Sequence, residues 1–380
     1  MKLDRYRIAL IGGAVLGVSA GAVAQEFIVV ENVTSLAAVS ADGRYVTGLG
    51  NASQPGAFRL DTVTGEREVI GIGWPRDISA DGSAIVGSIG IFDGAFLWTE
   101  AEGYINLNDT VPVLPGRSTV WAISDDGQQI AGEPTSGDAI RYSRSGEVVT
   151  LADCGQPYAI SSDGATMAGF ATFPGDTKLY AGVWDADGVA TIIQRDAEAT
   201  ALSNDGRYAF GSMGDDRNPF RWSSDGGLES IETLPGARLT ILWGASHDGR
   251  RAAGFAVVDD TVSMVWDEGV GARPLKAYLQ DEHGIDLAGW SLKTLQNMSD
   301  DGLSFVGAAT DPMGRNVWYV ARAGEPCLAD LDGNGVLNIF DFIEFQNLFV
   351  AGDLSADLDG DGELSIFDFL EFQSLFSAGC

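Results

Sequence analysis

The chain has 380 residues and a net charge of −31, from 54 acidic and 23 basic residues. A field of that sign repels nucleic acid and anionic membranes, so neither is expected as a partner. Three cysteines are too few for a disulfide-dense scaffold, and a chain of this length can bury a core without such cross-links. These values are typical of a folded, acidic protein suited to calcium and to an extracellular setting.

The first 24 residues have the pattern of a secretory signal peptide. Three basic residues precede an apolar run from Ile8 to Val18, and the segment ends in the small residues Ala22-Val23-Ala24. The run is short for a membrane span, and no later run reaches about 18 apolar residues. We therefore expect cleavage after Ala24, no membrane span, and a secreted protein that is extracellular or attached to the cell surface.

A motif recurs seven times through the middle of the chain. Each copy reads Ser-x-Asp-Gly and is followed, a few residues later, by a closing Gly, with a mean spacing of about 43 residues. Asp-Gly before strand-forming residues predicts a tight hairpin turn, because Gly tolerates positive φ. The repeats therefore predict several short strands per unit and no helix. The copies begin at Ser40, Ser79, Ser124, Ser161, Ser203, Ser246 and Ser299.

A period of about 43 residues with about four strands is typical of a β-propeller blade. The residues before Ser40 and after Ser299 together make about one period, so the stretch Gln25–Val33 is predicted to complete the last blade. We predict a mainly β fold, a seven-bladed β-propeller over residues 25–325, with a β-solenoid as the alternative. The repeats resemble HAF-type extracellular repeats, which implies β-rich extracellular architecture and no particular chemistry.

Two sets of repeat residues could serve a function. The Asp-Gly aspartates could form a ring, but an Asp that bonds its own turn is the simpler interpretation. The aromatic residues Trp98, Trp184, Trp222 and Trp266 could form a sugar platform, but packing within the blades is the favoured interpretation. His247 lies in a repeat turn and is expected at the surface.

Composition changes after Pro326. Residues 327–380 contain eleven acidic residues, no Lys or Arg, and eight of the 18 Phe. Two segments, Asp330–Asp341 and Asp357–Asp368, match each other at an offset of 27 residues. Oxygen-bearing residues stand at positions 1, 3, 5, 9 and 12 and Gly at position 6, which is the spacing of an EF-hand-type loop. The sequence therefore predicts two bound calcium ions.

Each loop offers four side-chain ligands, one backbone carbonyl and one residue that acts through water. A solvated acidic tail is disfavoured, because Phe, Ile and Leu alternate with the acids. In the first loop the predicted ligands are Asp330, Asp332, Asn334 and Asp341, the Val336 carbonyl, and Asn338. In the second they are Asp357, Asp359, Asp361 and Asp368, the Glu363 carbonyl, and Ser365.

One helix is predicted after each loop, over Ile339–Phe349 and Ile366–Phe376, where apolar residues recur three and four apart. Entering helices are not expected, because Pro326 and the Gly352-Asp353 turn precede the loops. A duplicated loop and helix with Asp at position 12 resembles a dockerin, and the flanking Cys and terminal Gly-Cys resemble GC-type dockerins. The resemblance covers residues 327–380, within a predicted module of 326–380. It implies calcium-dependent anchoring to a cohesin-like or other surface protein.

The module departs from cellulosomal dockerins at loop positions 10 and 11, which are Ile339-Phe340 and Ile366-Phe367 rather than polar residues. They are interpreted as core between the helices, with an apolar docking face as the alternative. Cys327 and Cys380 bracket the module, so an oxidising compartment predicts a disulfide between them. Cys154 is then expected as a buried free thiol.

The favoured function is a secreted, non-enzymatic binding or display protein. Its propeller would bind a polysaccharide or protein ligand, and its C-terminal module would attach it to a surface partner. The alternative is a polysaccharide-degrading enzyme, a glycoside hydrolase or lyase, because dockerins often accompany glycoside hydrolases. The sequence has no nucleophile elbow and no histidine-based metal motif. Carboxylates about 5–9 Å apart in the central channel, one with a raised pKa, would favour the enzyme.

Overall fold

The structure is a computed structural model, and it describes residues 8–10, 26–90, 94–110, 118–134, 137–324, 329, 331 and 337–378. Over these residues the chain forms the seven sheets of a β-propeller, followed by two C-terminal helices. The predicted seven-bladed propeller is confirmed.

Six blades are four-stranded antiparallel sheets whose strands follow one another in sequence. Blade 1 contains Val33–Val39, Tyr45–Gly50, Gly56–Asp61 and Arg67–Gly71. Blade 2 contains Trp74–Ile78, Ala84–Ser88, Ala95–Thr99 and Gly103–Asn106. Blade 3 contains Thr119–Ile123, Gln129–Glu133, Ile140–Ser143 and Val148–Thr150. Blade 4 contains Cys154–Ile160, Met167–Ala171, Tyr180–Trp184 and Ala190–Arg195. Blade 5 contains Ala197–Leu202, Tyr208–Met213, Asn218–Ser223 and Gly227–Ser230. Blade 6 contains Leu239–Ala245, Arg251–Val257, Thr261–Asp267 and Gly271–Pro274.

Blade 7 is completed by the N-terminal part of the chain, as predicted. It contains Ser291–Met298, Ser304–Thr310 and Asn316–Arg322, and Glu26–Val30 pairs antiparallel with the last of these. Strand Ile8–Leu10, inside the predicted signal peptide, pairs parallel with Glu26–Val30. Pairing of the two ends of the repeat region closes the ring, as in other propellers.

The Ser-x-Asp-Gly residues form the turn between the first and second strands of every blade. The Ser hydroxyl donates to the Asp carboxylate over 2.5–2.9 Å. The same hydroxyl accepts the N–H of the residue five positions later over 2.8–3.0 Å. The Gly has φ between +67° and +73° in all seven copies. The seven aspartates therefore serve the turns, as predicted.

The closing Gly of each repeat faces a β-bulge in the first strand of its blade. In all seven blades the register of that strand shifts at the residue three positions before the motif Ser. A Cβ on the closing Gly would lie 1.9–2.7 Å from a backbone carbonyl oxygen of the first strand. The two strands thus approach too closely for any other residue, and the bulged residue leaves the ladder.

The residues interpreted as packing are buried. Trp98, Trp184 and Trp266 are at most 6% exposed, and the partly buried Trp222 packs against the core of blades 4 and 5. Cys154 is a buried free thiol whose pKa is raised by burial. These expectations are confirmed.

Two short helices that the repeats did not predict lie among the strands. Leu107–Thr110 follows blade 2, and Leu275–Asp281 lies between blades 6 and 7, where the motif spacing is longest. The second helix buries Leu275, Tyr278 and Leu279 in a cluster with side chains of both blades. It therefore fills space beside blade 7 and explains the longer interval.

The C-terminal helices are Ile339–Ala351 and Ile366–Ala378, with a 3-10 turn at Leu354–Ala356 between them. Both predicted exit helices are confirmed, each two residues longer than expected. The buried rings of Phe345 and Phe372 stack with centroids 5.0 Å apart. No helix in the described part of the chain is long and apolar enough to span a membrane.

We expect Gly254→Ala to destabilise the propeller by about 2 kcal/mol or more, because its Cβ would lie 1.9 Å from the carbonyl oxygen of Ile241. Gly103→Ala is the matched control: it has open space around it but φ +74°, and should cost about 1 kcal/mol. Urea unfolding of both variants measures the difference. Equal destabilisation would contradict the proposed contact.

Candidate functional site

The first strands of the blades surround a central cavity of about 540 Å³. Its wall has three tiers, each set by its distance from the motif Ser. The bulged tier, three residues before the Ser, consists of Ala37, Arg76, Trp121, Tyr158, Thr200, Trp243 and Gln296. The apolar collar, one residue before the Ser, consists of Val39, Ile78, Ile123, Ile160, Leu202, Ala245 and Met298. The polar ring, at the variable position of the motif, consists of Ala41, Ala80, Asp125, Ser162, Asn204, His247 and Asp300, of which all but Ser162 and His247 line the cavity.

Three half-buried aromatic rings meet in the bulged tier. The Tyr158 ring centroid lies 5.4 Å from that of Trp121 and 6.2 Å from that of Trp243, both edge-on. The Arg76 guanidinium lies 4.5 Å from the Trp121 ring centroid, and burial lowers its pKa. Because the bulges turn these side chains out of the ladder, blades 2, 3, 4 and 6 together form an aromatic chamber with one cation.

The polar ring is held together by backbone hydrogen bonds from blade to blade. The Asp125 N–H donates to the Ser162 carbonyl, the Ser162 N–H to the Asn204 carbonyl, and the His247 N–H to the Asp300 carbonyl, over 2.8–3.2 Å. The Asn204 side-chain amide on blade 5 also donates to the Asp125 carboxylate on blade 3 over 3.3 Å. The side chains of this ring therefore approach one another at one end of the cavity.

Three carboxylates at this end have raised pKa values. Burial raises the pKa of Asp77 to about 6, although its oxygens accept the N–H groups of Ile78 and Ile123 over 2.9 Å. Burial, with repulsion from Asp125 and Asp77, raises the pKa of Asp300 to about 7. Burial also raises the pKa of Asp125, while His247 and Asn204 oppose that shift. Such shifts are common at functional sites.

Sequence reasoning missed both the bulged tier and the polar ring. It examined the constant Asp of the motif, whereas the cavity is lined by positions that differ from copy to copy. The signal for the polar ring was present, because a variable residue among the three constant residues of the motif indicates a position that the turn does not need. His247, expected at the surface, is exposed, and it also stands in the ring.

The second C-terminal loop contains a carboxylate cluster that could hold a metal ion. Oxygens of Asp357, Asp359 and Asp361 lie within 4.8 Å of one another. The two Asp357 oxygens accept the N–H groups of Gly360 and Gly362, each over 2.9 Å, so the loop wraps around this carboxylate. Three of the predicted ligands of this loop therefore meet at one point.

The position-12 aspartates have a further role, as caps. Asp368 is buried, lies outside the three-carboxylate cluster, and accepts the N–H groups of Leu358 and Ser365 over 3.0 and 2.6 Å. Asp341 is likewise buried and accepts the Asn338 N–H over 2.8 Å in a capping box.

Two more of the predicted ligand residues make hydrogen bonds within the second loop. The Glu363 N–H donates to the Asp361 carboxylate over 2.8 Å, and the Ser365 hydroxyl accepts the Phe367 N–H over 3.0 Å. The remaining predicted ligands and the predicted disulfide lie outside the described residues and stay predictions: Asp330, Asp332, Asn334, Val336, and the bridge between Cys327 and Cys380.

The interpretation of Ile339, Phe340, Ile366 and Phe367 as core is wrong. Each is 62% exposed. They occupy the first two positions of each helix, outside the cluster of side chains through which the two helices pack. The duplication thus presents the same apolar pair twice on the surface of the module.

We expect Asp300→Asn to remove part of the pH dependence of stability. The pKa of about 7 lies above the ordinary 3.8, so the native state keeps a proton that the unfolded state releases between these values. Stability therefore falls as pH rises from about 4 to about 7, by at most about 4 kcal/mol for this group. Between pH 4.5 and pH 8, the free energy of unfolding of the variant should rise by about 1 kcal/mol or more relative to that of the wild type.

Urea unfolding at both pH values measures this gain. The control is Asp187→Asn, at an exposed carboxylate in blade 4, which should leave the pH dependence unchanged. If Asp300→Asn behaves like this control, Asp300 does not titrate as described.

No protein-family model and no curated protein matches the chain, so the dockerin-like and HAF-type resemblances stay predictions. Solved structures do match. An oligogalacturonate lyase from Vibrio parahaemolyticus has a TM-score of 0.50 at 13% identity, covering 78% of this chain and 91% of that one. An oligogalacturonate lyase in complex with manganese has a TM-score of 0.50 at 13% identity, covering 80% and 98%. TolB from Acinetobacter baumannii has a TM-score of 0.42 at 13% identity, covering 77% and 86%. At such identities the likeness shows the propeller fold alone.

Proposed function

We propose that this protein is a secreted, non-enzymatic binding protein. Its propeller binds a ligand in the central cavity, and its C-terminal module attaches it, with calcium, to a surface partner. The observation that supports this most is the bulged tier, where seven equivalent bulges direct side chains of six different types into one cavity. A purely structural propeller would not need Arg76, Trp121, Tyr158 and Trp243 at positions that the turn and the ladder leave free.

The cavity has the properties of a small-molecule site. Its volume falls in the range of about 300–1,000 Å³ that is usual for ligand pockets. Trp121, Tyr158 and Trp243 offer apolar faces, while Thr200 and Gln296 add neutral polar groups in the same tier. Aromatic faces beside hydrogen-bonding groups suit the CH-rich and hydroxyl-rich faces of a sugar.

The C-terminal module is proposed to bind two calcium ions. In the second loop Asp357, Asp359 and Asp361 would supply hard oxygen ligands, which calcium prefers. Repulsion among carboxylates is a cost of folding this segment, since residues 327–380 contain eleven acids and no Lys or Arg. Two calcium ions would offset four of those charges where the crowding is greatest.

Attachment is proposed to use the duplicated apolar pairs Ile339-Phe340 and Ile366-Phe367. Their exposure gives two equivalent apolar contacts on a strongly acidic surface. A partner with an apolar groove edged by Lys or Arg is complementary to both properties.

A polysaccharide-degrading enzyme is the second candidate, and one observation favours it. Asp77 and Asp300 in the cavity have pKa values of about 6 and 7, which suits general acid–base catalysis near neutral pH. Three carboxylates at this end of the cavity, however, would repel an acidic glycan. A neutral or cationic glycan is therefore the better substrate for this alternative.

The ligand-binding proposal is tested with three hexasaccharides that differ in charge: cellohexaose, deacetylated chitohexaose and hexagalacturonate. At least one should quench tryptophan fluorescence without being cleaved, and Trp243→Ala should weaken its binding about tenfold or more. The control is Met313→Ala, at an 80% exposed side chain of blade 7. Binding that survives Trp243→Ala would contradict the cavity as the site, and shortened products in mass spectra would establish the enzyme.

Calcium removal should unfold the C-terminal module and leave the propeller folded. We expect EDTA to make residues 327–380 sensitive to limited proteolysis, and excess calcium to restore protection, because ligands are ordered only when the loops close. The variant that combines Asp330→Ala with Asp357→Ala should remain sensitive to protease even in calcium. Glu371→Ala, which removes a carboxylate outside the loops, is the control. A wild-type module that resists protease after chelation would refute the calcium proposal.

A further inference from the structure

The acidic end of the cavity has a charge arrangement that the fold does not balance. Asp125 and Asp300 belong to the polar ring, and Asp77 reaches the same region from blade 2. Repulsion from Asp125 contributes to the raised pKa of Asp77, and repulsion from Asp125 and Asp77 contributes to that of Asp300. Among the described residues none of the three forms an ion pair. The Arg76 guanidinium lies instead over Trp121, in the bulged tier.

The three carboxylates also differ in how far their hydrogen-bonding capacity is used. Asp77 accepts two backbone N–H groups, one of them from blade 3. Asp125 accepts one N–H from Asn204. The Asp300 carboxylate accepts no hydrogen bond from any residue that the structure describes, although the residue is half-buried. A half-buried carboxylate without a donor loses part of its solvation, and a ligand that supplies donors would compensate that loss.

A directly chelated metal ion is a poor match to this end of the cavity. A metal site needs at least three acidic, His or Cys side chains whose ligand atoms lie within 4.8 Å of one another. In the described part of the chain, Asp357, Asp359 and Asp361 meet this criterion, and Asp77, Asp125 and Asp300 do not. Asp77, Asp125 and Asp300 are therefore spaced too widely to share one small ion in this geometry. An ammonium ion, unlike a chelated metal ion, needs only one carboxylate as a hydrogen-bond acceptor, and neighbouring carboxylates attract it at longer range.

The rest of the cavity specifies the body of such a ligand. The apolar collar separates the polar ring from the aromatic chamber of Trp121, Tyr158 and Trp243. The two tiers are four residues apart along the chain, which is at most roughly 13 Å. A molecule that contacts both ends needs an apolar or aromatic body at one end and a charged group at the other.

We propose that the cavity binds an organic ammonium ion, whose –NH₃⁺ group contacts the Asp300 carboxylate with Asp77 and Asp125 nearby, and whose apolar body lies against Trp121, Tyr158 and Trp243. The proposal rests on the proposed ligand-binding function of the propeller and names the chemical class of its ligand. The ammonium supplies the donors that Asp300 lacks and the positive charge that the acidic end lacks. The collar excludes water from the path between the two ends and so strengthens the ion pair.

The test compares two molecules that differ in one group, 4-phenylbutylamine and 4-phenyl-1-butanol, by calorimetric titration of the full-length protein at pH 8. At this pH the amine is charged and the carboxylates are ionised. We expect the amine to bind at least tenfold more tightly than the alcohol. Asp300→Asn should reduce this ratio at least fivefold, whereas Asp187→Asn, at an exposed carboxylate of blade 4, should leave it unchanged.

Three results would overturn the proposal. Equal affinity for the amine and the alcohol would show an apolar site without charge preference. Absence of amine binding would show that the acidic end takes no ammonium. Loss of amine binding on addition of calcium, in the Asp330→Ala and Asp357→Ala variant, would assign the carboxylates to a metal ion. None of these decides the hexasaccharide experiment, so the ligand class can fail while ligand binding by the propeller stands.

Discussion

The close approach of the first and second strands is the constraint on which the propeller depends. At the closing Gly of each repeat a side chain would collide with the carbonyl oxygen of the neighbouring strand. The contact forces a bulge three residues before the motif Ser, and the bulge turns one side chain out of the ladder. Because all seven blades have the same bulge, the ring has seven equivalent inward positions. The turn motif holds each bulge in place but leaves its residue free to vary.

Because the bulged residue is free to vary, the side chains that line the cavity differ in chemistry although the blades share one structure. The outer surfaces of the blades pair their charges, as in Arg250 with Glu268 and Arg195 with Asp176. Such exposed pairs contribute little to stability. Inside the cavity the opposite holds, because the half-buried Asp77 and Asp300 form no ion pair with any residue that the structure describes. No described residue compensates the free-energy cost of partly burying these carboxylates. This end of the cavity is therefore the best candidate for ligand contact.

The C-terminal module uses its acids differently. Asp341 and Asp368 are fully buried and accept backbone N–H groups, so they fix the start of each helix. Asp357, Asp359 and Asp361 are crowded in the exposed loop, where repulsion opposes folding. Phenylalanines such as Phe345 and Phe372 join the two helices. The apolar core therefore stabilises the module while repulsion in the acidic loop destabilises it, and a bound cation would remove that repulsion.

The sequence alone determined the number of blades, the closure by the N-terminal strand, the turn role of the motif aspartates and the two C-terminal helices. These features follow from local chemistry repeated at a fixed period, which a single chain displays in full. Only the tertiary structure decided which variable residues face the cavity. A bulge changes the alternation of a strand by one residue, so Trp121 and Asp300 could not be placed from periodicity. It also decided that Ile339 and Phe340 are exposed, because the length over which two helices pack depends on their crossing and not on either helix by itself.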